Sequence, residues 1–316
     1  MSTEKQINIP KWKALILASR PPFLQVTIAP IIMGILIAWL HIGSIDIVLA
    51  VLTLLVGCLF HLSVNLAHEY YDWKSGTDNI NINAIRPFTG GSGMIQLGAI
   101  TPLEELIFGL SLMILGVIIG IYILLQVLKV ALTLLFIGGI AVFSILFYTT
   151  PPIKLSYRGV GEFFVFLNFG PLMALGAYVV LAQRIHLEPL IIGVLLGLFT
   201  ASILIINEFP DAEADAKAGK KHLVVRLGVK KARYLYALTM LLPYALAAIF
   251  IALQVLPMSV LLTFLLLPYS IKKIKWCFKH YASPRELFPA NIGTILNHLL
   301  YSILLIISYV LAYFLP

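Results

Sequence analysis

The sequence predicts an all-α membrane protein, with about nine transmembrane helices bundled around a central cavity and arranged as two related halves. Three observations predict it. Of the 316 residues, 60% are hydrophobic and only 11% charged, whereas a soluble chain carries about a quarter charged residues. Such a chain cannot cover a water-facing surface, so lipid is its solvent. Apolar runs also recur at the length of about 20 residues that a helix needs to cross hydrocarbon. Finally, one acidic motif occurs twice, each time where an apolar run stops.

The opening stretch MSTEKQINIPKWKALILASR is polar and basic and has no cleavage-site pattern. It reads as a cytoplasmic lead-in with an interfacial helix around Trp12, not as a signal peptide. Spans are expected near 22–40, 46–67, 103–126, 130–148, 160–181, 187–206, 234–254, 256–271 and 292–314. Only Pro257 separates the seventh from the eighth. The glycine-rich TGGSG at 89–93 lacks the GK[ST] ending of a nucleotide loop and reads as a lid over substrate. The TPLE at 101–104 carries the Thr, Pro and Glu of a helix start. Cys58 and Cys277 form no obvious disulfide pair. No linker or composition shift divides the chain, so 1–316 is read as a single membrane domain.

Nine spans with a cytoplasmic N-terminus put all but Lys129 and Arg184 of the 22 basic residues on the cytoplasmic side. That is the bias expected of a cell-membrane protein whose C-terminus is outside. The net charge of +8 therefore reports orientation and contact with anionic lipid, and no nucleic-acid partner is expected.

The repeated motif is HEYYD at 68–72 and NEFPD at 207–211, pairing His68 with Asn207, Glu69 with Glu208 and Asp72 with Asp211. An even number of spans separates the copies, so both face the cytoplasm, as in an internally repeated bundle that brings two ends together across a cavity. Each copy adds one more carboxylate, Asp78 and Asp215. Asp211 and Asp215 share a face on a continued helix, whereas Gly76 is expected to break the first helix before Asp78. Carboxylates at helix C-termini oppose the macrodipole, so something positive must offset them. Oxygen ligands with few imidazoles and no thiols nearby point to Mg²⁺, which binds through carboxylates, water and substrate phosphate. Two facing clusters suit two ions with a diphosphate between them. Asp72, Asp78, Asp211 and Asp215 are the expected ligands, with Glu69 and Asn207 assisting. His68 is expected to orient the site. Tyr148, at the end of the fourth span, is placed to stabilise a cation or orient an acceptor, or to anchor the span at the interface. Asn168, Asn297 and His298 are polar groups within spans, where interhelical hydrogen bonds explain them as well as function does.

YYDWKSGTD in the first motif, AKAGKKHLVVRLG after the second, SRPPFLQVTIAPIIMG at 19–34 and YRGVGEFFVFLNFGP at 157–171 resemble the UbiA superfamily of membrane prenyltransferases. The motif pair is most similar to the branch that prenylates 1,4-dihydroxy-2-naphthoate in menaquinone biosynthesis. The family usually has Asn where this chain has His68, and often Asp where it has Glu69. The resemblance implies transfer of an isoprenyl chain from a Mg²⁺-bound diphosphate to an aromatic acceptor. It also implies that Arg86 and Lys154, with Arg20, Lys220 and Lys221, neutralise the diphosphate. Rival readings are prenyl transfer to a 4-hydroxybenzoate-type phenol or to a glycerol phosphate ether, and ion transport.

Overall fold

The computed structural model describes residues 9–77, 81 and 89–314, so the expected ligand Asp78 and the expected cation Arg86 lie outside the described residues. Among those described there are helices and no strands. Eight helical runs are long and apolar enough to cross a membrane. A short helix, α1 (Lys11–Ala18), carries the exposed Trp12 expected there. A 3₁₀ turn at Pro21–Leu24 leads into α2 (Gln25–Ile42), which ends at Gly43. Asp46 then caps α3 (Ile47–Ser75) by accepting from the Leu49 N–H at 3.0 Å.

The apolar run predicted to stop at 67 continues as helix through the whole first acidic motif. It is Gly76, at φ +79, that stops it, as left-handed C′ glycines do. Thr101 and Glu104 form a reciprocal capping box on α4 (Pro102–Gln126). A 3₁₀ turn at Leu128–Val130 opens α5 (Ala131–Phe147), which buries only Ser144 and Ile145 and otherwise faces lipid or the cavity.

The fifth span is composite: α6 (Gly161–Leu167), a π-helical stretch Asn168–Leu172, then α7 (Met173–Ala182). Pro171 cannot donate to the helical ladder, and the wider turn absorbs the defect at Phe169 (φ −87°, ψ 20°). This stretch lies against α8 (Leu187–Lys217), the most buried span. The two backbones nearly touch: a Cβ added to Gly170 would sit 2.3 Å from the Gly193 carbonyl oxygen. Small residues permit this approach where lipid supplies no hydrophobic drive between helices. Phe199, Ile205 and Ile206 on α8 are fully or almost fully buried and centre the main core.

A short α9 (Leu223–Leu227) and α10 (Val229–Ala252) follow. The predicted span at 256–271 is a 3₁₀ helix, Met258–Leu266, running into α11 (Leu267–His280). Four lysines from Lys272 onward leave it too charged to meet the length and apolarity of the other eight. It still runs antiparallel beside α12 (Pro284–Phe314): Ser270 donates to Asn297 at 2.8 Å and the Trp276 indole N–H to the Glu286 carbonyl at 2.7 Å. A 3₁₀ helix rises about 2.0 Å per residue against 1.5 Å in an α-helix, so a short apolar run reaches further than its residue count suggests.

Candidate active site

Both acidic motifs end at the same mouth of one cavity of about 720 Å³. Asp72, Asn207, Asp211 and Asp215 line it together with His68, Tyr148, Arg20 and Lys220. The lower walls are apolar, including Phe60, Ile121, Val142 and Leu172. Helix α8 stays helical through Pro210 to Lys217, so Asp211 and Asp215 do share a face one turn apart.

Gly219 (φ +82) folds the chain back at the end of α8, and the Lys220 N–H donates to the Asp215 carbonyl at 2.9 Å. That turn drives the Lys220 side chain between the two motifs. Its Nζ lies 2.9 Å from Asp72 Oδ2 and 3.0 Å from Asp215 Oδ1. Burial disfavours this charge, but Asp72 and Asp215 outweigh it and hold the lysine well above its usual pKa. Here is the positive charge demanded by carboxylates at two helix C-termini.

His222 does the same on the other side. Its Nε2 is 3.0 Å from Asp215 Oδ2, and its Nδ1 is 3.4 Å from Glu208 Oε2. Burial again opposes the charge, yet Glu208 and Asp215 prevail and push its pKa up to about 10. Glu162, which caps α9 by accepting from the Leu223 N–H, closes this cluster.

His68 Nε2 approaches Asp72 Oδ2 at 3.3 Å, and its ring meets Tyr148 edge-on at 5.5 Å between centroids. This geometry suits the orienting role expected from the sequence. His68→Asn is expected to retain transfer within about tenfold, a barrier change of about 1.4 kcal/mol. A loss of roughly 10²–10⁴-fold, the range of a missing general base, would rule that role out. For Tyr148, burial first and then negative Glu208 and Glu162 raise the phenol well above its usual pKa, so it meets the cavity neutral.

Two expectations change. Glu69 was expected to assist a metal ion, but it points to the loop: Oε2 accepts from the Ser92 N–H at 3.0 Å, and Oε1 accepts from the Gly93 N–H at 3.1 Å and from the Ser92 hydroxyl. The TGGSG loop is held by that carboxylate and by Asp211, whose Oδ2 accepts from the Gly90 N–H at 3.2 Å while Oδ1 accepts from Asn81 at 2.6 Å. Lys154 does not line the cavity; its ammonium lies over the Tyr157 ring, 4.7 Å from the centroid, with Lys220 5.7 Å from the same ring. Arg20 does line it, in a left-handed conformation at φ +56.

The site also uses residues that sequence reasoning missed. Asn291 donates to Asn207 Oδ1 at 2.9 Å, and His222 and Asn81 steady Asp215 and Asp211. The chain GKKH after the second motif was the available sign for His222; nothing local marked Asn291, which arrives from α12. The donor set fits Mg²⁺: the carboxylates of Asp72, Asp211 and Asp215 and the amide of Asn207 line one cavity, and Asp72 Oδ1 is buried with no hydrogen-bond partner.

Residues 27–295 match the UbiA prenyltransferase family. The chain is 32% identical over 219 residues to a 1,4-dihydroxy-2-naphthoate octaprenyltransferase of Mycobacterium tuberculosis, covering 69% of this chain and 71% of the relative. It is 27% identical over 274 residues to a 2-carboxy-1,4-naphthoquinone phytyltransferase of Synechocystis sp., covering 87% and 85%. In fold it is similar to a UbiA homolog from Archaeoglobus fulgidus, solved bound to DMAPP and Mg²⁺, with a TM-score of 0.62 at 16% identity over 92% of this chain and 98% of that one.

Proposed function

Because this chain belongs to the UbiA prenyltransferase family and is thereby an intramembrane prenyltransferase, we propose that it transfers a polyprenyl chain to 1,4-dihydroxy-2-naphthoate. The observation that carries the reading is the convergence of two related carboxylate clusters, with buried cations, on one end of an apolar cavity. The naphthoate acceptor is supported by the named activities of the relatives from M. tuberculosis and Escherichia coli.

Asp72, Asp211 and Asp215, with Asn207 and Asp78, would hold two Mg²⁺, one at each motif. The metal supplies Lewis-acid neutralisation of the diphosphate as it leaves. Arg20 and Lys220, which line the cavity, add fixed positive charge where negative charge develops, and the resemblance assigns Arg86 the same role. His68 holds the Asp72 carboxylate in position. The Tyr148 ring offers its π face to the allylic cation left when the C1–O bond breaks; the electron-rich ring carbon of the acceptor then bonds to C1, and its C–H bond breaks as the departed diphosphate takes the proton. The apolar walls keep water from reaching the cation first.

Purified protein with Mg²⁺ and a labelled polyprenyl diphosphate is expected to label 1,4-dihydroxy-2-naphthoate, and neither 4-hydroxybenzoate nor a glycerol phosphate ether. EDTA should stop the transfer and Mg²⁺ restore it. Transfer to another acceptor alone would refute the naphthoate assignment; no transfer to any of them by folded protein would refute the reaction.

The tail is read as leaving the cavity past the small residues of α5. Gly138 and Gly139 on α5 line the cavity, and a Cβ at either would meet nothing within 4 Å. Leu135, Gly139 and Phe164 also line a groove on the outer side of this helix. Gly139→Leu should therefore fold normally yet fill the tail path. Transfer from a long polyprenyl diphosphate should then fall roughly tenfold or more, a barrier change of about 1.4 kcal/mol, while a five-carbon donor is spared. Equal losses with both donors would exclude this path.

The proposed location is the cell membrane, with the N-terminus and active site cytoplasmic and the C-terminus outside, supported by the split of basic residues. In a background lacking Cys58 and Cys277, Lys221→Cys should label only from the cytoplasmic side and Ser44→Cys only from outside. The reverse pattern would invert the topology.

A further inference from the structure

Two histidines and a glutamate meet at the end of the bundle away from the active site, and the proposed reaction uses none of them. Helix α2 begins beside Arg20 and α8 ends beside Asp215, so His41, near the end of α2, and Glu188, at the start of α8, lie at the opposite end of the bundle. His41 Nε2 is 2.9 Å from Glu188 Oε2, and His186 Nδ1 is 3.9 Å from the same oxygen. One ring nitrogen of each histidine and one Glu188 oxygen all lie within 4.8 Å of one another. The two rings stand nearly perpendicular, at 76° with centroids 4.7 Å apart.

The atoms that face away from this point are already held. Glu188 Oε1 accepts from the Tyr309 hydroxyl at 2.7 Å. His41 Nδ1 lies 3.0 Å from the Tyr178 hydroxyl, whose oxygen also accepts from Arg184 Nε at 3.1 Å. Tyr178 is fully buried and Tyr309 almost so. Fixing the far atoms of an imidazole and a carboxylate in this way is what outer partners do around bound metals, setting tautomer and orientation. A plain His41–Glu188 pair accounts for the first contact. His186 turns toward the same point although its side chain is 47% exposed, with Nδ1 also accepting from the Glu188 N–H at the start of α8.

We propose that His41, His186 and Glu188 form a binding site for a first-row divalent transition metal, Zn²⁺ foremost, that clamps four spans together at the end of the bundle opposite the active site. Two imidazoles and one carboxylate suit zinc, whereas Mg²⁺ and Ca²⁺ prefer all-oxygen sets. Water completes the coordination past the exposed edge of His186. On binding, the proton on His41 Nε2 moves to Nδ1, where the Tyr178 oxygen accepts it. His186 gives up its long 3.3 Å contact with the Glu188 N–H. Through its ligands and their partners the ion would join α2 and α8 to α7 and α12.

The test uses the full chain in detergent with saturating Mg²⁺, titrated with Zn²⁺ and followed by calorimetry and thermal melting. One Zn²⁺ per chain is expected, with a raised melting temperature. His186→Asn keeps a side-chain acceptor for the cap but has no imidazole. It should melt like the parent protein without zinc and bind zinc at least about 100-fold more weakly. Tyr309→Phe should weaken zinc binding roughly 10–100-fold. The site is refuted by the absence of saturable zinc binding, by binding that His186→Asn leaves unchanged, or by binding lost only in Asp72→Asn.

Discussion

Asp72→Asn is expected to cut prenyl transfer by roughly 10²–10³-fold or more, the scale of losing one electrostatic contact to a developing charge, while the protein folds as before. The substitution keeps size and shape, and Lys220 keeps Asp215 as its partner at 3.0 Å. What disappears is the charge behind Asp72 Oδ1, the buried oxygen without a hydrogen-bond partner. The Mg²⁺ concentration needed for half-maximal rate should rise as well. Full activity in Asp72→Asn, at unaltered Mg²⁺ dependence, would remove this carboxylate from the site. Asp72 is preferred to Asp211 for the test because both Asp211 oxygens also anchor the loop through Asn81 and Gly90, so that variant would mix two effects.

The second large effect is on stability. Lys220→Met should lower the melting temperature of metal-free protein by roughly 5–10 °C, because removing one member of a buried ionic group costs about 3–5 kcal/mol. Asp72 and Asp215 would face each other with no cation between them; His222 offsets only Asp215. Saturating Mg²⁺ should narrow the gap, since the ion supplies the missing charge. A melting temperature unchanged in EDTA would show that the carboxylates do not depend on this lysine.

Most of the membrane bundle was legible because apolar runs near the span length have few other uses. Helix ends were less so. The apolar runs stop near 67 and 206, but the helices continue through the acidic motifs; the first ends at Gly76, as expected, and the second at the turn Ala218–Gly219, which the sequence did not mark. The stretch after Pro257 read as an ordinary span, and nothing in periodicity distinguishes 3₁₀ winding from α-helix over so few residues.

The carboxylates themselves could be read from the repeat and the resemblance. Their partners could not be read in the same way. Glu69 looked like an assisting ligand because it belongs to the repeated motif, opposite Glu208, but its carboxylate holds Ser92 and Gly93. Lys220 ranked among several basic residues until the turn at Gly219 placed it between two motifs. Asn291 is 84 residues from Asn207 in the chain, a separation that local patterns do not bridge.

The proposed tail path past Gly138 and Gly139 has a kinetic consequence. A substrate that enters past α5, which buries only Ser144 and Ile145, never passes through an aqueous phase. Its effective concentration is then its mole fraction in the bilayer, and dilution of the surrounding buffer leaves it unchanged. A longer tail adds no penalty of transfer from water, because hydrocarbon surrounds it before and after the reaction. Departure becomes lateral diffusion in two dimensions, at a rate governed by the viscosity and thickness of the lipid as much as by the protein.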